Sequence, residues 1–300
     1  MPLLRVEAER LSNNQLVAGV VEEIIDRDPL FALLPFAKVN GKAYVYNREK
    51  TISEGDFLDP NEDINEGGAT FDEITTKLRV LIGDVDVDKF LIETMGDTND
   101  QLAVQLAEKA KGMGRKFRRT LIQGNASTNP KEFDGLLRLV TPGQTLSAGD
   151  NGNPVSLSML DELLDAVKNG SDALVMRPGT WRAVKALMRA AGGTTPTHIQ
   201  LENFGMPIPA YDGTPVLVSD FLPAGETVGT AEDTTSIMAV RLNEVDGLHG
   251  LFGGDSAGLR VEQIGTVQNR DAYRHRMKWY CGLALKSTQS VARIKGVTNI

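Results

Sequence analysis

Residues 98–125 read TNDQLAVQLAEKAKGMGRKFRRTLIQGN, and this stretch decides the fold. Leu102, Leu106, Ala110, Met113, Phe117 and Leu121 recur at steps of four and three, the spacing of one helix face. Thr98 and Gln101 have capping-box spacing at its start, and Gly124 stands where a left-handed cap would end it. At 1.5 Å per residue the helix is roughly 39 Å long, beyond the three turns or so of an ordinary domain helix. Gly112 and Gly114 lie inside it and cost about 1 kcal/mol each against alanine, which predicts a backbone passing close by or some other support. The helix runs into a glycine-marked loop, Leu121-Ile122-Gln123-Gly124-Asn125, and then Phe133-Asp134-Gly135-Leu136-Leu137.

Upstream, residues 1–12 read as an irregular arm. Asn13 or Asn14 caps a helix with paired apolar residues Val20-Val21 and Ile24-Ile25, which Pro29 stops. Ala43 to Arg48 alternates like a strand, as does Leu78 to Ile82, and between them lies a polar, acidic segment, Glu49 to Thr70. A long hairpin with a projecting tip is the simplest reading, because a connection that long inside a compact domain normally binds something or is disordered.

Downstream the pattern becomes mixed. Leu157 to Lys168 reads as a helix started by Ser158 with Asp161, and Thr180 to Ala191 as a second, with Trp181, Val184, Leu187 and Met188 on its apolar side. Ala173 to Met176 is a buried-type strand; Pro215 to Val218 and Ser236 to Val240 are strands. Gly247 to Gly258 reads as a glycine-rich loop. Met277, Trp279, Cys281, Leu283 and Leu285 alternate along a final strand that continues to Ile294.

Bulk properties narrow the function. Three hundred residues suggest about two domains and can bury roughly 75% of the unfolded surface. A net charge of −8 argues against a protein that coats nucleic acid, though not against a container whose wall faces it. The single cysteine, Cys281, excludes an intrachain disulfide. No signal-peptide pattern opens the chain, and no apolar run approaches a membrane span. His198, His249 and His275 stand in three different segments without metal-ligand spacing. The glycines at 247–254 lack both the P-loop Lys-Ser/Thr and the GxGxxG spacing. No catalytic, cofactor or metal site is therefore expected.

Charge runs are more informative. Glu54, Asp56, Asp59, Glu62, Asp63 and Glu66 form an acidic tip without a base. The long helix carries Lys109, Lys111, Arg115, Lys116, Arg118 and Arg119, and the C-terminal stretch carries Arg270, Arg274 and Arg276 with only Asp271 against them locally. Such runs are ordinarily solvated faces; a tip that reaches outward favours complementary patches on neighbouring subunits.

These elements, in this order, resemble the HK97-like major capsid proteins of tailed bacteriophages over nearly the whole chain. The most specific pieces are Leu121 to Asn125 with Phe133 to Leu137, then Ala173 to Thr180, Phe204-Gly205-Met206-Pro207-Ile208, and Val291 to Gly296. The resemblance implies an α+β fold with an N-arm (1–42), an extended hairpin loop (43–90), a peripheral domain with a long spine helix (91–139 and 266–300) and a mixed α/β axial domain (140–265). It implies a structural, non-enzymatic protein whose pentamers and hexamers close into an icosahedral shell around double-stranded DNA, held without sequence-specific contacts. Portal, scaffolding and decoration proteins are the implied partners, and the virion, with the host cytoplasm during assembly, is the implied location. In the family the extended loop lies across a neighbour's peripheral domain, which would bring the acidic tip to Arg115, Lys116, Arg118 and Arg119 or to the C-terminal bases. Val20, Val21, Ile24 and Ile25 would bury on a neighbour.

Two departures from the family pattern carry expectations. The arm begins at Met1, so scaffolding would come from a separate protein or not be needed. Some members join subunits by a Lys-Asn bond assisted by a glutamate; here the final strand reads Trp279-Tyr280-Cys281-Gly282 and the tip is acidic, so a shell without covalent links is expected. The alternatives are an encapsulin-type nanocompartment of the same fold and, from another class, a soluble α/β enzyme.

Overall fold

The structure is a computed structural model that describes residues 29–59, 62–63, 66–89, 101–192, 197–200, 207–254 and 257–300. The expected N-terminal helix with Val20, Val21, Ile24 and Ile25, the cap at Thr98 and the Phe204-Gly205-Met206 segment lie outside the described residues.

The described chain runs α1 (Pro29–Leu33), β1 (Phe36–Val39), β2 (Ala43–Thr51), β3 (Thr70–Lys77), β4 (Arg79–Asp88), α2 (Gln101–Gln123), α3 (Leu136–Leu139), β5 (Thr145–Ser147), α4 (Leu157–Asp165), β6 (Ala173–Met176), α5 (Pro178–Ala190), β7 (Thr197–Gln200), β8 (Pro207–Tyr211), β9 (Thr214–Val218), β10 (Glu226–Val228), β11 (Ala231–Val240), β12 (Leu248–Gly253), β13 (Arg260–Thr266), β14 (Ala272–Leu285) and β15 (Val291–Val297). Three sheets result: five strands, eight strands and the two-stranded hairpin β2–β3.

The 14-residue β14 organises the first sheet. One edge pairs with β4 along its length, from Ala272↔Asp88 to Cys281↔Arg79. The other edge is shared by β13 and β12, with β1 parallel to β12 beyond. Against this sheet lies α2, 23 residues long. Its expected face is the buried one: Leu106, Ala110, Met113, Phe117 and Leu121 are all in the core. Phe117 stacks on Trp279 of β14 at 4.2 Å between ring centroids, and Phe31 of α1 meets both edge-on. Aromatic packing therefore joins the first described helix, the longest described helix and the longest described strand.

The second sheet runs β5-β15-β11-β6-β9-β8-β7, with β10 on β11. Its central strands are buried on both faces, which is why Ala173-Leu174-Val175-Met176 reads as an unbroken apolar run. Ala173, Val175, Met238 and Val240 face the core shared with α2. Leu174, Met176, Ile237 and Ala239 face the opposite side, where Leu160 and Leu163 of α4 and Trp181 and Val184 of α5 cover them.

Several sequence expectations are corrected. The hairpin partner of β2 is β3, in the register Ala43↔Lys77 to Thr51↔Thr70; Leu78 to Ile82 leads into β4 of the first sheet instead. The glycine-rich 247–258 segment contains a core strand, β12, with Leu248 and Leu251 fully buried. Gly250 is there because a Cβ would lie 2.4 Å from the Phe36 ring, so the glycine marks close packing and not a turn. The final strand is two strands: β14 ends at Leu285, a short 3-10 turn intervenes, and β15 pairs with β11 in the other sheet. Ser156, not Ser158, caps α4, accepting from the Met159 amide, while Asp161 accepts from the Tyr211 hydroxyl at 2.6 Å.

The end of α2 also differs from expectation. Gly124 is not among the residues with positive φ, so no left-handed cap forms. Instead two backbone segments cross. The Gly124 amide donates to Thr120 O at 2.8 Å, and the Gly135 amide donates to Gly124 O at 2.9 Å. A Cβ on Gly124 would sit 2.3 Å from Phe133 O, and one on Gly135 would sit 2.5 Å from Thr120 O. The Gly124 and Gly135 motifs are thus one crossing point, 11 residues apart in sequence. Gly112, by contrast, has nothing within 4 Å of a Cβ, so among the described residues no backbone passes it.

Candidate assembly surfaces

The hairpin is fixed at its root. Tyr44, Tyr46 and Leu78 pack on Val39, Leu251 and Ala284. The Tyr46 hydroxyl donates to Leu285 O at 2.7 Å; Arg48 donates from Nε to Lys286 O and from Nη2 to Leu285 O, both at 2.7 Å. Burial pushes the Tyr46 hydroxyl pKa above its ordinary value, and Arg48 partly offsets the shift. The Tyr44 ring meets His249 edge-on at 5.5 Å. Beyond this root the strands leave the body, and the tip is exposed throughout its described residues. Its acids, Glu54, Asp56, Asp59, Glu62, Asp63 and Glu66, all face solvent; Glu62 accepts from the Asp59 amide at 3.0 Å. Beside and between them stand apolar side chains that the acidic reading passed over: Ile52 before Glu54, and Leu58 and Phe57 between Asp56 and Asp59, with Phe57 fully exposed at 107%. An aromatic amid acids was the available signal, since a solvated tip has no use for it.

The bases on α2 divide. Arg115 and Arg119 are exposed. Lys116 is paired with Glu132, and Arg118 is buried, its guanidinium 5.5 Å from the Phe221 ring. Among the described residues of α2, Lys109, Arg115 and Arg119 are the exposed bases, while Lys111 lies near Glu108.

The C-terminal bases are engaged within the subunit. Arg274 makes a bidentate pair with Asp86, both contacts 2.7 Å, and Arg276 one with Asp84 at 2.7 and 2.8 Å. Lys278 pairs with Glu262 on β13 at 2.5 Å. These pairs form a charged ladder across the outward face of the first sheet, which corrects the expectation of an unopposed basic stretch. The counter-ions were written in the alternation Asp84-Val85-Asp86-Val87-Asp88, whose valines are buried and whose acids point out. The guanidinium beside each holds Asp84 and Asp86 below the usual carboxylate range. Arg270 stays exposed in the turn before β14.

Among the described residues the histidines do not gather at one place. His249 and His275 are buried and His198 is exposed, on three separate strands. Burial lowers the His249 pKa and so keeps the imidazole neutral. Cys281 is a buried residue of β14, and burial pushes its thiol up to about 12. Among the described residues no cluster of His, Cys, Asp and Glu is placed to hold a metal, and no helix is long and apolar enough to cross a membrane.

Solved structures share this architecture. The holo-SrpI encapsulin complex from Synechococcus elongatus aligns with a TM-score of 0.71 at 22% identity, over 89% of this chain and 86% of that one. The capsid of the native GTA particle gives 0.64 at 15%, over 89% of each chain, and Mycobacterium phage Adephagia 0.61 at 14%, over 89% of each. A comparison with curated protein sequences found no match. A long helix on a five-stranded sheet, a projecting hairpin and a mixed second sheet are thus the HK97-like fold of shell-forming proteins. Within that class the sequence is decisive: the profile of the SU10 major capsid protein matches residues 92–298, and the chain belongs to that family. It is a major capsid protein of a phage-type shell.

Proposed function

We propose that copies of this chain form pentamers and hexamers that close into an icosahedral shell around double-stranded DNA, without covalent links between subunits. The observation that carries this reading is the contrast between a body with a complete core and a hairpin whose apolar and acidic tip is uncovered. Such a tip is satisfied by another copy.

The first sheet with α2 would be the peripheral body, and the second sheet with α4 and α5 the axial one, so that β12 and β13 fall on the peripheral side and β15 on the axial side. The net charge of −8 suits a wall that encloses nucleic acid without gripping it. The absence of cross-links is supported by β14, where Trp279 and Cys281 are buried, and by a tip whose nearest lysine, Lys50, is paired with Asp72. Portal, scaffolding and decoration proteins would be the further partners, the host cytoplasm the place of assembly, and catalysis no part of the role.

The likeness to an encapsulin supports a second reading, a compartment loaded with protein cargo. Sedimentation and electron micrographs of the purified protein separate the two. The proposal expects closed shells that fall apart in detergent to a single 32.5 kDa band, and DNA inside shells recovered from infected cells. Chains that remain monomeric under every condition would contradict it, and shells carrying an enzyme would favour the second reading.

A further inference from the structure

Strand β12 carries a buried imidazole where the hairpin root covers it. His249 pairs with Ala284 of β14, and Leu251 with Gly282, so residues 249, 251 and 284 share one face of the first sheet. On that face Leu251 and Ala284 pack under Tyr44, Tyr46 and Leu78, and the Tyr44 ring meets the imidazole edge-on at 5.5 Å. The opposite face, with Leu248, belongs to the core shared with α2. His249 is therefore sealed by the root and has no exposed surface.

The sealed ring has a place for one proton only. Its Nδ1 lies 3.4 Å from Gly247 O and donates there, while Nε2 is buried without a partner. A second proton would add a donor with no acceptor and a charge with no solvent, both costly in an apolar setting. The groups that face the ring do not offset this cost. β2 brings the uncharged Tyr44, and β14 brings Ala284. Lys286, its ammonium 5.9 Å from the Tyr44 ring centroid, repels an imidazolium, and Glu244, which attracts one, is exposed. Burial is the largest influence on the His249 pKa and, with Lys286, holds it below its ordinary value against the Gly247 carbonyl and Glu244.

Lifting the hairpin is the shortest route by which the second proton enters. The root is held by the Tyr44, Tyr46 and Leu78 contacts and by three side-chain hydrogen bonds, from Tyr46 and Arg48 to the carbonyls of Leu285 and Lys286. None of these belongs to a strand ladder, so the root leaves with β2–β3 and the first sheet both intact. Nε2 then faces water.

We propose that the hairpin root is an acid-released clamp: His249 takes its second proton only when the root is lifted, so acid favours a hairpin free to swing on the body. The closed root has its full advantage above about pH 6.5, the ordinary histidine value, and loses it as pH falls below that. One proton taken up per opening makes the open form up to about tenfold more populated at about pH 5.5. The clamp lies within one copy, so it stands apart from the shell-forming reading.

The test uses the full chain with Cys281→Ser and Ala284→Cys, which places one thiol beneath the root, and measures its alkylation rate relative to a free thiol at the same pH. The ratio should rise up to about tenfold from about pH 7.5 to about pH 5.5. With His249→Gln added it should stay flat. With Lys286→Gln, which removes the repelling charge, the rise should begin at higher pH. In the unsubstituted chain Cys281, on the α2 side of β14, should show no such rise. A flat ratio in the first chain, or the same rise with His249→Gln, would overturn the clamp. A matching rise at Cys281 would overturn it too, because the whole body would then be opening. Should the glutamine variant fail to fold, Lys286→Gln decides: a rise that begins at the same or a lower pH contradicts the proposal.

Discussion

The body and the hairpin of this chain bury their side chains by opposite means. In the body, α2 turns five residues of one face into a core with Trp279, and the second sheet is covered on both sides. In the hairpin, packing and hydrogen bonds are concentrated at the root, through Tyr44, Tyr46 and Arg48. Val45 within the root, and Ile52, Phe57 and Phe71 beyond it, stay exposed. The body can be understood from one copy. The hairpin cannot, because an exposed apolar segment on a rigidly anchored arm has no role until something covers it.

Substitutions on the two sides should differ most in their effect on the isolated chain. Phe117→Ala removes the ring at the centre of the aromatic cluster and should cost about 3–5 kcal/mol in urea unfolding. Phe71→Ala on the exposed part of β3 should stay within about 0.5 kcal/mol. Equal losses would mean that the hairpin packs on its own body.

The crossing at the end of α2 sharpens the comparison within one helix. Gly124→Ala forces a Cβ against Phe133 O and Thr120 O and should destabilise by about 1–3 kcal/mol, the range for overpacking. Gly112→Ala meets open space and should gain up to about 1 kcal/mol from helix propensity. A gain in the free chain with a loss in assembly would place Gly112 against a neighbour.

The smallest effects belong to the charged ladder. Asp84 and Asp86 have lowered pKa values in the folded chain, so their stabilisation is present above the unfolded value of about 3.9. It is lost as pH falls through the folded values. Both pairs are accessible to solvent, so Asp84→Asn should cost at most about 1 kcal/mol at neutral pH. The same variant should also flatten the acid limb of the stability curve below about pH 4. His249 adds a separate loss. Its folded pKa is depressed by burial, so stability present above about pH 6.5 declines as pH falls below it.

Much of the body was legible in the sequence because it obeys periodicity. The apolar face of α2 was read residue for residue, as was the doubly buried strand at 173–176. The errors arose where one residue type serves two purposes. Glycine at 250 and 253 suggested a loop, yet Gly250 is a strand residue cut short to let Phe36 in. Gly124 suggested a left-handed cap, yet it is a backbone crossing whose partner, Phe133, lies across the loop. The alternation of β14 and β15 ran together because both are apolar on one face and only a short turn divides their sheets. The basic C-terminal stretch looked unopposed because its acids are on β4, nearly 200 residues away. For the tip, charge was read as exposed, while the exposed aromatic Phe57 was hidden among the acids.

A cryo-EM map of the assembled particle at side-chain resolution tests the central claim most directly. The account predicts the hairpin of each copy covered by a neighbour, with the Phe57 ring, exposed in one copy, within about 4.5 Å of side chains of that neighbour, the range of apolar contact. Closed shells in which every tip projects into solvent, with Phe57 uncovered, would contradict it.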